Sequence, residues 1–298
     1  MLNSRVSVVI ATYNRYKDLQ ECLNSIFDLK TRPHEVIVVD SDSADETKRL
    51  ADSFPIKFAC IKERNRQRAR NIGIHMAEGD IVAFLDDDVV VSERWLEHIV
   101  SPYARSGVGG VGGRVVPYGK SGNFHVRTRK EDVGKVFKTG LVIGNFDLPL
   151  DNWVRVDSFI GCNMSFRKDL LLTVGGFDEN YEGTGYRDDT DLCMRVRKMG
   201  YELIYNPKAL VSHKFKGKKV GSEWSYWYVR NHVYFYLKNI YADSRTGFPM
   251  FLYHMFFPPR DYLLKSGVKL RRESTLVLNV LEGLLDGFRT WHDSLQVK

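Results

Sequence analysis

The sequence predicts an α/β fold: a mostly parallel central sheet with flanking helices, followed by a helical C-terminal extension. Apolar runs without a polar residue, such as residues 81–85, are typical of strands buried on both faces of a sheet. After the first predicted strand, at residues 5–12, apolar residues recur at helical spacing at Leu19, Cys22 and Ile26. Strands and helices that alternate with short links favour right-handed parallel βαβ units.

The first half of the chain is the more regular one. Strands are predicted at residues 5–12, 35–39, 56–61 and 81–85. A helix follows each strand, and the second helix is expected to begin at Ala44, with Ser43 as its cap and Glu46 in the capping-box position.

The second half is less regular and ends in helices. Strands are predicted at 108–116, 154–160, 202–205 and 209–211, and the polar stretch 117–149 is expected to be a long loop or a hairpin. Helices are predicted at 168–174, at 192–199, at 224–241 and at 275–291, where apolar residues repeat at helical spacing.

The composition favours an anionic partner and does not indicate nucleic acid. The chain of 298 residues has a formal net charge of +7, which suits a nucleotide or a phospholipid surface. It lacks zinc-ligand spacing, an RNA-binding signature and a basic-zipper pattern.

The cysteines and the N-terminus predict a cytoplasmic location. Cys22, Cys60, Cys162 and Cys193 are far apart and are expected to be free thiols of a reducing compartment. The N-terminus leads directly into a strand, and no apolar run reaches the ~20 residues of a membrane span. Peripheral contact with the inner face of the cell membrane stays open as an alternative.

The run 81–85 ends abruptly in three carboxylates, Asp86, Asp87 and Asp88. Neighbouring carboxylates repel one another, and ligands of open α/β sheets bind beyond the carboxyl ends of strands. We therefore predict a divalent metal site here; a solvated acidic turn is the alternative. Oxygen ligands suit Mg²⁺ or Mn²⁺, and an imidazole such as that of His213 would favour Mn²⁺.

A second acidic pair, Asp188 and Asp189, opens a predicted helix after a glycine-rich loop. Acidic residues favour the first turn of a helix, which explains the pair structurally. Paired carboxylates can also shift each other's pKa and leave one as a general base. The pair alone leaves both explanations open.

Eight short segments resemble the family 2 glycosyltransferases, whose fold is the Rossmann-like GT-A fold. Each segment is a weak signal, but together they keep the family's order across residues 6–213. The segments are 9–15, 38–40, 69–73, 84–88, 161–165, 175–178, 188–192 and 211–213. Two departures are Ala11, where many relatives have Pro, and Asp188, where many have Glu; the second leaves the base open between Asp189 and Asp188.

The resemblance implies a role for each of these positions. Asp88 and His213 are expected to bind Mn²⁺ or Mg²⁺, and Asp189 or Asp188 is expected to be the catalytic base. The residues expected at the nucleotide are Thr12, Tyr13, Asn14, Arg15, Asp40, Asp42, Arg70, Asn71, Asp86 and Asp87. The residues expected at the acceptor are Gly161, Cys162, Asn163, Trp224 and Arg230, with Asn231 beside them.

The implied reaction is inverting transfer of a sugar from a UDP-, dTDP- or GDP-sugar to a hydroxyl of a lipid-linked or surface glycan. Residues 1–220 would form the catalytic domain, with a nucleotide-sugar half at 1–116 and an acceptor half at 117–220. Residues 221–298 would form the helical extension. There, the apolar stretch 248–257 and the basic residues that follow could form a membrane-surface anchor or pack on the catalytic domain.

Two other functions are compatible with parts of the pattern. A haloacid-dehalogenase-like phosphatase also carries Asp-x-Asp after an apolar strand, which Asp86–Asp88 match. That motif normally begins its fold and is soon followed by Thr, whereas here three predicted strands precede it and residues 89–91 are all Val. The second alternative is a non-catalytic nucleotide-sugar-binding domain.

Overall fold

The computed structural model of the chain describes residues 4–118, 132–214, 222–256 and 274–296, and its centre is a nine-stranded sheet. The first half of the sheet is parallel and has the order β3-β2-β1-β4. Its strands are β1 (Val6–Thr12), β2 (Glu35–Asp40), β3 (Lys57–Cys60) and β4 (Ile81–Asp86). The helices between them are α1 (Tyr16–Phe27), α2 (Thr47–Ala51) and α3 (Arg66–Met76). These are the predicted βαβ units.

The second half of the sheet continues from β4 in the order β10-β6-β11-β5, with β9 paired to β11. β11 runs parallel to β6, whereas β10, β5 and β9 are antiparallel to their neighbours. The strands are β5 (Val89–Val91), β6 (Val108–Pro117), β9 (Val154–Val156), β10 (Asn163–Arg167) and β11 (Glu202–His213). β7 (Lys135–Val136) and β8 (Val142–Ile143) form a separate hairpin.

In the described ranges, six further helices follow: the first three flank this half of the sheet, and the last three form the C-terminal layer. They are α4 (Trp95–Val100), α5 (Lys168–Thr173), α6 (Asp188–Lys198), α7 (Ser222–Tyr236), α8 (Phe248–Phe256) and α9 (Ser274–Gln296). A π-helical turn (Leu237–Tyr241) extends α7, and short 3₁₀ turns occupy Ser101–Ala104 and Arg245–Gly247.

Several predicted boundaries need correction. The helix expected from Ala44 begins only at Thr47, because Ser43 donates its backbone N–H to the Asp40 carboxylate instead of capping a helix (3.0 Å). The strand expected at 154–160 stops at Val156, and β10 was not predicted. The two strands expected at 202–205 and 209–211 are one strand, β11, with a bulge between Asn206 and Leu210. Within the predicted loop 117–149, residues 119–131 lie outside the described part.

The glycines of β6 let neighbouring side chains come against the strand backbone. A Cβ on Gly112 would lie 2.3 Å from the ring of Phe159, and one on Gly113 would lie 2.0 Å from the Ala209 carbonyl oxygen. Both distances are far shorter than van der Waals contact, so the packing requires glycine here. Phe159 thereby fills the space above the strand, two residues before Gly161.

Asn163 at the start of β10 is a structural residue. Its amide donates to the carbonyls of Arg114 (3.0 Å) and Ala209 (2.8 Å), and its Oδ1 accepts from the Trp95 indole (2.9 Å). The side chain is fully buried. All polar atoms of this side chain therefore have partners inside the sheet, and the expected contact of Asn163 with the acceptor stays a prediction.

A buried ionic network joins the C-terminal helices to α6. Asp191 is fully buried and contacts Arg195 (2.8 Å), Lys238 (2.8 Å) and Asn239 (2.8 Å). Burial opposes ionisation, but the charges of Arg195 and Lys238 lower the pKa of Asp191 to about 2. Lys238 also reaches Asp178 (2.6 Å). The π-helical turn thus places Lys238 and Asn239 against the helix that begins with Asp188.

One side of α8 packs on α7. The Phe251 ring is buried and stacks on Tyr236 with centroids 3.8 Å apart, whereas Met250 and Tyr253 are exposed. Among the described helices, none has both the length and the apolar character that crossing a membrane requires. The basic residues of the expected anchor, Arg260, Lys265, Lys269, Arg271 and Arg272, lie outside the described part.

We expect Lys238→Met to lower the free energy of unfolding by about 3 kcal/mol, because it removes a cation from a buried carboxylate. This expected loss of stability lies at the lower end of the range for breaking a buried ion pair, because Arg195 still contacts Asp191. The matched control is Lys198→Met, because Lys198 pairs with Asp243 on the surface and a surface pair contributes about 1 kcal/mol or less. Urea unfolding measures both, and equal midpoint shifts would contradict a stabilising role for the buried network.

Candidate active site

A cavity of about 160 Å³ opens beside the carboxyl end of β4, where ligands of open α/β sheets are expected. It collects side chains from five separate parts of the sequence. Its lining residues are Arg66, Arg70, Asp86, Ile160, Gly161, Cys162, Asp188, Asp189 and His213. The fold therefore brings the acidic triplet, the acidic pair and the histidine, which the sequence singled out separately, to one place.

The middle carboxylate of the triplet is bound by the loop after β1. Asp87 is buried and accepts a hydrogen bond from the Thr12 hydroxyl (2.8 Å), and it pairs with Arg15 (3.1 Å). Burial raises the pKa of Asp87 to about 7, although Arg15 and Thr12 act in the opposite direction. The Asp87 side chain thus holds the β1 loop, which carries other expected nucleotide residues, and its own expected nucleotide contact stays a prediction.

Asp88 and His213 meet because β5 pairs with β11, which sets His213 opposite Val89. The His213 Nε2 atom lies 3.1 Å from the Asp88 carboxylate and 4.0 Å from that of Asp86. Burial opposes ionisation of Asp88, but the hydrogen bond with His213 and the charge of Arg15 lower its pKa. The hydrogen bond likewise raises the pKa of His213 against the effect of burial.

The donor atoms around His213 fit a divalent metal of the Mg²⁺ or Mn²⁺ type. The ligand atoms of Asp86, Cys162 and His213 all lie within 4.8 Å of one another. Burial raises the pKa of the Cys162 thiol well above its usual value, and a thiol suits these hard cations less well than an oxygen donor. Asp86 and His213 remain from this group, and Asp88, whose carboxylate lies 3.1 Å from the His213 Nε2 atom, adds a second carboxylate. Two carboxylates and one imidazole are a donor set suited to Mn²⁺.

The two carboxylates of the acidic pair have different surroundings. Asp188 is buried, and its carboxylate accepts from Gln67 (2.8 Å), Arg66 (3.1 Å) and the backbone N–H of Asp189 (2.7 Å). Asp189 is only partly buried, and its Oδ2 accepts from the Gly161 N–H (2.9 Å). Burial and the neighbouring charge of Asp188 raise the pKa of Asp189 to about 6. Asp189 thus has a raised pKa, as Asp87 has, and unlike Asp87 it lines the cavity.

Arg70 connects these groups. Its guanidinium contacts Asp86 (2.8 Å), the Gly161 carbonyl (3.1 Å) and Asp188 (3.5 Å), and the residue is only 2% exposed. Sequence reasoning missed Arg66 and Gln67, which share Asp188 with Arg70. Their positions three and four residues before Arg70 place them on the same helix face, and this spacing was the available signal.

Arg187 is a further residue that the sequence analysis missed. It has a left-handed backbone with φ 77° and turns the chain into α6, so that Asp188 and Asp189 open the helix. Its guanidinium lies over the Tyr186 ring at 4.3 Å from the centroid. Such a backbone is uncommon for a residue other than glycine and is often found at functional sites.

The loops after β1 and β2 are joined to each other. The Asn14 backbone N–H donates to the Ser43 hydroxyl (2.7 Å), and the Asn14 side chain accepts from the Ala44 N–H (2.8 Å). The buried Asp40 is engaged by Ser43, while Asp42 is exposed at the tip with φ 60°. The Tyr13 ring is partly exposed and lies under the guanidinium of Arg64, 4.5 Å from its centroid.

Two further expected site residues, Asn71 and Arg230, contact loops of the chain, and their expected contacts with the nucleotide and the acceptor stay predictions. Asn71 donates to the Phe177 carbonyl (2.9 Å) and accepts from the Phe177 N–H (2.7 Å), so it holds the turn after Gly176. Arg230 is buried and donates to the Asn180 carbonyl and to the Asn231 side chain (2.8 Å). Both residues stabilise loops and have no contact with the cavity-lining carboxylates. Trp224 is partly exposed and stacks on Tyr228 at 4.9 Å.

Comparison with known proteins gives matches along most of the chain. Residues 7–175 match the family model described as glycosyl transferase family 2, and residues 149–216 match one described as the N-terminal domain of galactosyltransferase. Glucosyl-dolichyl phosphate glucuronosyltransferase of Haloferax volcanii is 29% identical over 245 residues, which span 75% of this chain and 74% of that protein. Glycosyltransferase AglE of the same organism is 39% identical over 227 residues, which span 70% and 66%.

Among solved structures, the chain resembles mannosyltransferase PcManGT from Pyrobaculum calidifontis in complex with GDP-Man and Mn²⁺. The TM-score is 0.59 at 20% sequence identity, and the match covers 97% of this chain and 87% of that one. These comparisons support neither the phosphatase nor the non-catalytic binder. The family 2 model covers more than half of the sequence, and the chain belongs to glycosyl transferase family 2 as a glycosyltransferase of the GT-A fold.

Proposed function

We propose that this enzyme transfers a hexose, with inversion, from a nucleoside-diphosphate sugar to a hydroxyl of a lipid-linked or surface glycan. The observation that carries the proposal is the cavity that Asp86, Asp189 and His213 line together. It unites a carboxylate–imidazole donor set with a carboxylate of near-neutral pKa. The dolichyl phosphate in the name of one relative supports a lipid-linked sugar as the acceptor class.

In the proposed reaction, Asp189 accepts the proton of the acceptor hydroxyl as that oxygen attacks the anomeric carbon. The Gly161 N–H holds one carboxylate oxygen of Asp189, and the other accepts from the Thr190 N–H. Asp188 is buried against Arg66 and Gln67, whereas Asp189 is partly exposed and has a raised pKa, which supports Asp189 as the base and Asp188 as the residue that orients Arg66 and Gln67. Attack in line with the leaving diphosphate inverts the anomeric centre.

Asp88 and His213, with Asp86 beside them, would hold Mn²⁺ or Mg²⁺. When bound, the metal supplies positive charge to the leaving diphosphate. Arg15 and Arg66 add fixed positive charge on two sides of the same region, Arg15 at Asp88 and Arg66 at Asp188. Tyr13 and Arg64 present a planar stacked pair at the edge of the β1 loop, which suits a nucleobase.

The donor is identified by release of nucleoside diphosphate from UDP-, dTDP- and GDP-sugars in the presence of Mn²⁺. We expect slow hydrolysis of one donor without acceptor and faster release with a lipid-linked sugar. If no donor is hydrolysed and calorimetry detects no nucleoside diphosphate binding with Mn²⁺ present, the proposed function is wrong.

For the base, we expect Asp189→Asn to lower kcat by about 10²- to 10⁴-fold, because general base catalysis contributes that much. KM for the donor should change little, since the amide keeps the shape of the side chain. The control is Asp52→Asn, an exposed carboxylate beyond α2. A variant with unchanged kcat would exclude Asp189 as the base.

The metal site predicts a separate loss of binding. Asp88→Ala should abolish the Mn²⁺-dependent binding of nucleoside diphosphate in calorimetry, because it removes a ligand and leaves His213 without its carboxylate partner. Addition of a chelator to the wild type should have the same effect, and Asp52→Ala should not. Binding that is equally tight with and without metal would contradict the site.

The raised pKa of Asp189 predicts a pH profile. The base works only when ionised, so kcat/KM should rise with pH through about 6 and fall about tenfold per unit below it. The charge of Asp188 contributes to the raised pKa, so Asp188→Asn should move the midpoint of the residual activity to lower pH. A midpoint that stays in place would show that Asp188 has no influence on the base.

A further inference from the structure

One face of α9 is used inside the chain. A Cβ on Gly287 would lie 2.7 Å from the Cβ of Val233, and a Cβ on Gly283 would lie 2.8 Å from the Tyr226 carbonyl oxygen. These two glycines, spaced four residues apart, let α9 and α7 approach to backbone contact. Trp291 lies on the same side, with its ring 6.3 Å from that of Tyr241. This face therefore has its partner within the chain.

The opposite face of α9 is apolar and, within the described part of the chain, exposed. Five large apolar side chains on it are between 37% and 60% accessible. We call this set the outer stripe; its members are Leu278, Leu281, Leu285, Phe288 and Leu295. With the exposed His292 between the last two, the positions follow one another at intervals of three, four, three, four and three residues. That interval pattern is the seam of a two-helix coiled coil.

The charges beside the outer stripe disfavour a membrane as its partner. Within Ser274–Gln296 the acidic residues Glu282, Asp286 and Asp293 stand against a single basic residue, Arg289. Helices that lie on anionic membranes carry Lys and Arg on their polar face. An acidic flank together with heptad spacing fits another helix better than a lipid surface.

The same charges fit a second copy of α9 in antiparallel orientation. Leu285 then lies opposite Phe288 of the other copy, Leu278 opposite Leu295, and Leu281 opposite His292. In an antiparallel seam of this register, Glu282 comes beside Arg289 of the other copy, and the twofold axis repeats the pair. Arg289 also pairs with Asp286 of its own helix (3.0 Å), and its exposed guanidinium has further N–H donors for Glu282. In a parallel dimer, Glu282 lies level with Glu282 of the other copy and Arg289 level with Arg289, so no such pair forms.

We propose that the outer stripe is a dimer interface, which pairs antiparallel with the outer stripe of a second copy of this chain. The proposal is independent of the proposed function, because α9 contributes no residue to the cavity. A seam of five apolar side chains is short for a protein interface, so the dimer dissociates in the micromolar range.

Sedimentation velocity on the full chain tests the interface. The wild type should shift from the monomer mass of 34.4 kDa toward twice that mass as its concentration rises through the micromolar range. Leu281→Asp combined with Leu285→Asp should stay monomeric throughout. Leu172→Asp, at an exposed leucine on α5, is the control and should dimerise like the wild type. Thermal unfolding of each variant shows that it is folded.

Charge reversal at Glu282 and Arg289 tests the register. Recovery of dimerisation in the double variant would show that the loss in each single variant does not come from misfolding. Glu282→Arg or Arg289→Glu alone should weaken dimerisation several-fold, because each places like charges side by side. The two substitutions together should restore it, since the pair is only inverted. A wild type that is monomeric at every concentration overturns the proposal. Stripe-dependent binding of that monomer to anionic phospholipid vesicles would assign the surface to a membrane instead.

Discussion

Arg70 lies where β4, the loop before β10 and α6 meet, and the order of the site depends on its charge. A buried guanidinium is tolerated only when carboxylates and carbonyls surround it. Asp86, Gly161 and Asp188 supply these groups from three distant parts of the sequence. Because Asp189 follows Asp188 in the same helix turn, the contact between the buried Arg70 and Asp188 also sets the position of the proposed base.

The site separates two kinds of carboxylate by their surroundings. Asp88 is held by Arg15 and His213 and has a lowered pKa, so it stays ionised and is suited to bind a cation. Asp189 lies next to a like charge in a partly closed cavity, and its pKa is raised to about 6. Opposite pKa shifts at neighbouring positions suit the same residue type to the two proposed roles, cation ligand and proton acceptor.

The sequence predicted the parts of this structure that depend on local pattern. β1, β2 and β4 are built around the apolar runs 8–11, 36–39 and 81–85, and the carboxylates at the end of β4 were found because they stand directly after such a run. β10 was missed because Asn163 and Ser165 make it look polar, although Trp95 and Tyr103 satisfy both side chains inside the core. The buried contacts of Arg230 were missed for a different reason, because its partner Asn180 is fifty residues away in the sequence.

The glycines of β6 give the centre of the sheet an unusual sensitivity. Phe159 occupies the volume that a side chain on Gly112 would need, and the chain continues from Phe159 directly to Gly161. One added methyl group on the strand would push the ring outward and carry the Gly161 N–H away from Asp189. A side chain at Gly112 would thus disturb the proposed base from a distance, and libraries aimed at new acceptors should leave this strand unchanged.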